Sequence, residues 1–124
     1  MASQTVTFEY DQEKNILFSI DDYEINTPED ADAFLGLYSL KIKEIGRKVR
    51  LVTCIDGLKI NNKAQDYYGK QVKKLIEGTI ICFARYGTDP MSRMNVRMSS
   101  HKANYDINIY DTRDQAIEAV GRMK

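Results

Sequence analysis

The sequence predicts one α/β domain, 1–124, on a mixed five-stranded sheet with four helices, in the order ββαβαβαβα. Three observations predict it. Residues 5–20 alternate apolar and polar side chains around a polar turn, TVTFEY, DQEKN, ILFSI, the pattern of an antiparallel hairpin. Beyond them, short β-branched apolar runs (VRLVTCI, TIICFAR) alternate with longer stretches whose apolar residues recur every three or four positions. That alternation calls for parallel strands joined by crossover helices. The length of 124 residues suits a single domain with its own core.

Each element has a local reason. The first strand spans 5–10, with Val6, Phe8 and Tyr10 on one side, and the second spans 16–20. Thr27-Pro28-Glu29-Asp30 opens the first helix: Thr27 is an N-cap, Pro28 fits the first helical position, and the acids suit the positive end of the dipole. This helix runs to Gly46, a C-terminal stop. Ala31, Phe34, Leu35, Tyr38, Ile42 and Ile45 form its core-facing stripe. Leu37 and Leu40 fall off that stripe and are a possible dimer contact. A third strand covers 49–55 and is expected to end at Asp56-Gly57. A helix from about Lys63 to Ile76, closed by Gly78, carries Ala64, Tyr68, Val72, Leu75 and Ile76 on its apolar side. The fourth strand, 79–85, is apolar enough to expect burial on both faces. The third helix starts around Thr88 to Pro90, with Met91, Met94 and Met98 on one side and Arg93 and Arg97 on another. The methionines are expected as flexible core filler rather than as a binding groove. The last strand lies within 104–110. Asp111 or Thr112 then caps a final helix with Ala116, Ile117 and Val120 inward.

Composition limits the function. At 43% hydrophobic and 29% charged residues, the chain is ordinary globular material. No apolar run approaches the roughly 20 residues that cross a bilayer, so no membrane association is expected. The N-terminus lacks the basic and apolar regions of a secretory signal, and a cytoplasmic location is expected. Cys54 and Cys82 lie in apolar runs and read as buried free thiols. With one histidine and no paired-cysteine spacing, neither a metal nor a cofactor is expected. Net charge is zero and the pI is 6.6, which disfavours nucleic acid. The zero hides an asymmetry. Residues 1–36 hold nine acids and one base, a net −8, and residues 37–124 hold seventeen bases and nine acids, a net +8. A fold that intermixes these charges leaves an ordinary mixed solvated surface; kept apart, they would serve self-association as a homodimer or an anionic ligand on the C-terminal part.

The candidate site follows from topology. Parallel strands ending near Ile55 and Arg85 bring their carboxyl ends to one edge of the sheet, where open α/β sheets bind ligands. That edge would collect Asp56, Gly57, Arg85, Tyr86 and Thr88, with Arg93 one turn on. Arginine beside a helix N-terminus suits a carboxylate or phosphate. The alternative is that Thr88 or Asp89 caps the helix and Arg85 pairs with Asp56 or Asp89. No catalytic set is evident, and His101, at a helix end, has no partner for general-base work.

Three stretches carry a resemblance: VRLVTCIDGLKINNKAQDYYGKQVKKLI, FARYGTDPMSRMNVRM and NYDINIYDTRDQAIEAV. Together, over roughly 49–120, they resemble the STAS/SpoIIAA-like superfamily, including its final strand ending in Asp111-Thr112-Arg113-Asp114-Gln115-Ala116. The middle part is also similar to a domain appended to some bacterial acyl-CoA transferases, through Asp56, Gly57, Tyr68, Arg85, Tyr86 and Thr88. The resemblance implies a non-catalytic regulatory or binding domain that recognises a protein partner or a small anionic metabolite. Classical members are switched by phosphorylation of a Ser or Thr after a central strand. Here the segment 55–62, IDGLKINN, has no hydroxyl. The transferase likeness implies an alternative, an enzyme or accessory subunit in acyl-CoA or organic-acid metabolism. An apolar-ligand carrier is a third reading, and it predicts a cavity lined by Phe34, Met94 and Met98.

Overall fold

The computed structural model describes residues 2–123. Strands β1 (Thr5–Asp11), β2 (Ile16–Ile25), β3 (Val49–Ile60), β4 (Ile80–Tyr86) and β5 (Ile109–Tyr110) form one sheet in the order β1-β2-β3-β4-β5. β1 runs antiparallel to β2, and every other pairing is parallel. Helices α1 (Pro28–Ile45), α2 (Gln65–Thr79) and α3 (Pro90–Ala103) pack side by side over one face. α4 (Arg113–Arg122) covers β3 and β4 on the other. This is the mixed five-stranded, four-helix architecture that the sequence predicts.

Local chemistry sets the helix ends. Thr27 accepts from the Asp30 amide while the Asp30 side chain returns a bond to the cap backbone, and Gly46 closes α1 at φ 87°. Thr112 and Gln115 make the same reciprocal cap on α4. Each satisfies amides that the first turn cannot pair internally. α1 buries Ala31, Phe34, Leu35, Tyr38 and Ile42. Phe34 is the hub, with ring centroids 5.0 Å from Tyr23, 5.4 Å from Tyr38 and 6.1 Å from Tyr68. Burying such a ring contributes about 1.5–3 kcal/mol.

Several elements differ from expectation. β2 and β3 run five residues further, because their parallel pairing resumes beyond a bulge between Ile20 and Asp22. Asp56-Gly57 therefore lies inside β3. Gly57 belongs there for a close approach, since a Cβ would collide with the Asp21 carbonyl oxygen. β5 shrinks to two residues because Asn104 and Asn108 take left-handed backbone, at φ 60° and 46°, and break the extended run. Met91, Met94 and Met98 are not core filler. They are 55%, 54% and 37% exposed, because α3 buries Ser92, Asn95, Val96, Ser99 and Ser100 instead. β4 is not buried on both faces throughout, since Ile81 is exposed. Cys54 and Cys82 are free and half-buried.

Candidate functional site

The sheet edge anticipated from the sequence is a tightly bonded turn. Asp56 Oδ1 accepts from the backbone amides of Thr88 (2.8 Å) and Asp89 (2.9 Å). Asp89 is the N-cap of α3 and accepts from the Ser92 amide at 2.9 Å. Gly87 sits between them at φ 151°, where a Cβ would strike the Asp56 carboxylate. The amides at this helix start are thus held by the chain's own carboxylates. Arg93 donates to the carbonyls of Gly87 (2.6 Å) and Tyr110 (3.2 Å) and pairs with Asp111 at 3.3 Å. Lys59 meets Asp89. The bonds from Lys59 and from Ser92 hold the Asp89 carboxyl down at about 2. Tyr86 lies on the α4 side of the sheet, half-buried, where burial raises its phenol.

Arg85 goes elsewhere. Its neighbours in β4 alternate across the sheet, so Arg85 and Phe83 point beneath the three-helix layer while Ala84 and Tyr86 face α4. Arg85 as a residue is 8% exposed. It donates to Ser100 Oγ at 3.1 Å and lies over the rings of Phe83 (4.9 Å) and Tyr105 (5.3 Å). Among the described residues it makes no ion pair, neither with Asp56 nor with Asp89.

What Arg85 does share is a cavity of about 40 Å³, and its apolar walls include Phe34, Leu58 and Val72. Asp21, Thr53, Tyr38 and Tyr68 also line it. Sheet register builds this group. Ser19, Thr53 and Arg85 lie side by side in one row across β2, β3 and β4, and Asp21 follows Ser19 by two positions on the same face. Tyr38 reaches down from α1, with its oxygen 2.5 Å from Asp21 Oδ1 and 2.8 Å from Ser19 Oγ. Ser19 in turn donates to Thr53 Oγ1 at 2.9 Å. Asp21 is 3% exposed. Burial pushes its carboxyl up to about 7, against the smaller opposing pulls of Tyr38 and Arg85. Burial likewise drives the Tyr38 and Tyr68 phenols well above their ordinary range.

Asp21, Ser19, Tyr38 and Thr53 were not anticipated as site residues. The signal was present: in LFSIDDYEI, positions 17, 19, 21, 23 and 25 share one face, and Leu17, Tyr23 and Ile25 mark it as the core face. Phe34 lines the cavity, whereas Met94 and Met98 lie on the outer surface of α3. Leu37 and Leu40 are exposed on α1. His101 is exposed in the last turn of α3. Among the described residues no cluster of three His, Cys, Asp or Glu could hold a metal, and no helix is long and apolar enough to cross a membrane.

The architecture is that of a SpoIIAA-like α/β fold, with a mostly buried arginine beneath its helices. The likeness is to a solved structure, an uncharacterised protein of the DUF3478 family with a SpoIIAA-like fold from Shewanella loihica PV-4. It aligns at a TM-score of 0.56 and 13% identity over 93% of this chain and 91% of that one. This agrees with the fold that the STAS/SpoIIAA-like resemblance implies. No family model and no curated protein matches the chain.

Proposed function

We propose that this chain is a non-catalytic binding domain for a small anionic metabolite, held in the cavity beneath α1, α2 and α3 with Arg85 as its counter-charge. One observation carries the reading: Arg85, 8% exposed as a residue, lies beside a largely apolar cavity, and its guanidinium has one side-chain hydrogen bond and, among the described residues, no ion pair. A buried cation is costly unless it is paired, and an entering anion would pair it. On this reading Asp56, Thr88 and Arg93 brace the turn that follows β4, Gly57 lets β3 approach β2, Tyr86 lies on the α4 face, and Arg85 alone of the six touches the anion. The test is native mass spectrometry of gently purified protein, repeated after denaturation. A retained small acid, lost in Arg85→Met, supports the reading. A ligand retained equally by both proteins refutes the role of Arg85.

A protein partner is the second reading, favoured by the outer face of α3. Met91, Met94 and Met98 are exposed there beside Arg97, and residues 90–103 contain no acid. Flexible methionines suit adaptable contacts. Crosslinking to a partner through α3 that is lost in Met94→Glu but kept in Arg85→Met would decide for this reading.

A further inference from the structure

The two edges of the sheet are built differently. β5, at one edge, is two residues long and follows the left-handed Asn108. β1, at the other, runs for seven residues and pairs with β2 in unbroken register from Thr5 to Asp11. Among the described residues no strand pairs with its outer side. Proteins blunt such an edge with proline, lysine or a bulge, and TVTFEYD has none of them. Its apolar side chains, Val6, Phe8 and Tyr10, face the helix layer but are only half-buried, although Phe8 meets the Tyr38 ring of α1 at 5.2 Å. α1 also leaves a leucine exposed on this side. Asp32 takes the Tyr67 hydroxyl of α2. Leu37, five residues on, lies about 140° around the helix from it, on the flank away from α2, and is 37% exposed.

We propose that β1 pairs with β1 of a second copy, antiparallel about a two-fold axis at Phe8, so that the two sheets become one continuous sheet. The occupant follows from the strand itself, whose sequence is complementary to its own reverse. Residues directly opposite in an antiparallel pair lie on the same face. With the axis at Phe8, Val6 meets the partner's Tyr10, Phe8 meets the partner's Phe8, and Tyr10 meets the partner's Val6. Aromatic pairs and aromatic–β-branched pairs of this kind stabilise a sheet. On the other face Thr5 meets the partner's Asp11 and Thr7 meets the partner's Glu9. Each carboxylate then faces a hydroxyl that can donate to it, and none faces another carboxylate.

Other registers do worse. An axis at Glu9 sets Glu9 against the partner's Glu9, and one at Tyr10 sets it against the partner's Asp11. Like charges directly opposite are destabilising. An axis at Thr7 pairs only Thr5 to Glu9, because Gln4 leaves the extended region at φ 59°. The axis at Phe8 uses the whole strand and opposes no like charges. It still leaves Glu9 diagonal to the partner's Glu9, about 7–8 Å away, and one strand pair buries little area. The dimer is therefore a weak one that forms as concentration rises.

The experiment is sedimentation velocity of the full chain from micromolar to millimolar concentration, on the wild type, Thr7→Lys and Thr7→Glu. Thr7 is exposed, so neither change should disturb the monomer, and denaturant midpoints check this. In the dimer each change acts twice, once on either side of the axis, against the partner's Glu9. Two cross-strand charge pairs shift the dissociation constant by about two- to thirty-fold. Thr7→Lys should tighten the dimer by that factor, and Thr7→Glu should loosen it. A chain that stays monomeric at every concentration overturns the proposal. So does a dimer that both substitutions shift the same way or leave unchanged, since its interface then lies in another register or on another surface. Hydrogen exchange of the wild type gives an answer even if a variant misfolds. In the monomer alternate β1 amides point outward unpaired, and their exchange should slow as concentration rises. Outward amides that exchange fast at every concentration overturn the proposal.

Discussion

Replacing Asp21 with Asn tests the buried acid through stability alone. Asn has nearly the same shape, and its amide oxygen can accept from Tyr38 as the Asp21 carboxyl does, but it cannot ionise. In the wild type the carboxyl rises from an ordinary 3.8 to about 7 on folding. At about 1.4 kcal/mol per tenfold change in proton affinity, that corresponds to about 4 kcal/mol. The raised value means that the folded chain binds the proton more tightly than the unfolded one. The stabilisation is therefore complete below about pH 3.8 and is lost as pH rises to about 7. The difference in unfolding free energy between Asp21→Asn and the wild type should move by about 4 kcal/mol in favour of Asn between pH 4 and 8, with most of the slope below pH 7. Urea denaturation at half-unit pH steps measures it, and taking the difference cancels the other titrating groups. A difference that stays flat within about 1 kcal/mol would mean that Asp21 titrates as an ordinary carboxyl. A slope of opposite sign would mean that Arg85 holds it ionised. Either result refutes the conclusion that burial raises the Asp21 carboxyl.

Other substitutions probe the frame around the site. Gly87→Ala forces a side chain into left-handed backbone and against Asp56, and should cost about 1–3 kcal/mol in denaturant unfolding. Asp56→Ala leaves the Thr88 and Asp89 amides without their acceptor. It should cost about 1–3 kcal/mol and speed hydrogen exchange at those two amides, with α1 amides unchanged. Thr27→Ala removes the α1 cap and should lower stability by about 1 kcal/mol. Leu40→Glu changes a side chain 67% exposed. If α1 forms a homodimer contact, the variant should sediment as a monomer with stability within about 0.5 kcal/mol of the wild type, and an unchanged sedimentation coefficient removes Leu40 from any interface.

Legibility differed by element for identifiable reasons. The start of α1 was readable because Thr27 and Asp30 act on each other across three residues, and its end because Gly46 alone tolerates the turn. The interior stripe of α1 followed from periodicity, and so did the exposure of Leu37 and Leu40. The lengths of β2 and β3 were not readable, because their second halves exist only through pairing beyond the bulge. The methionines of α3 misled because the helix buries serines and an asparagine: Ser92 bonds the Leu58 carbonyl and Ser99 bonds the Asn95 carbonyl. Satisfied hydroxyls can be buried where an apolar count expects methionine.

Arg85 illustrates the division most clearly. Its place near the end of a parallel strand, in a chain whose later part is basic, was visible in the residues. Which side of the sheet it faces was not, because both faces of β4 carry apolar side chains and alternation has no polar side to mark. The sequence by itself determined which elements form, their order along the chain and the caps at both ends of α1, since these rest on hydrogen bonds and spacings within a few residues. Only the tertiary structure decided the site. Residues 19, 21, 38, 53 and 85 meet because parallel register aligns three strands and α1 lies across them, and those are pairings between segments distant in the chain.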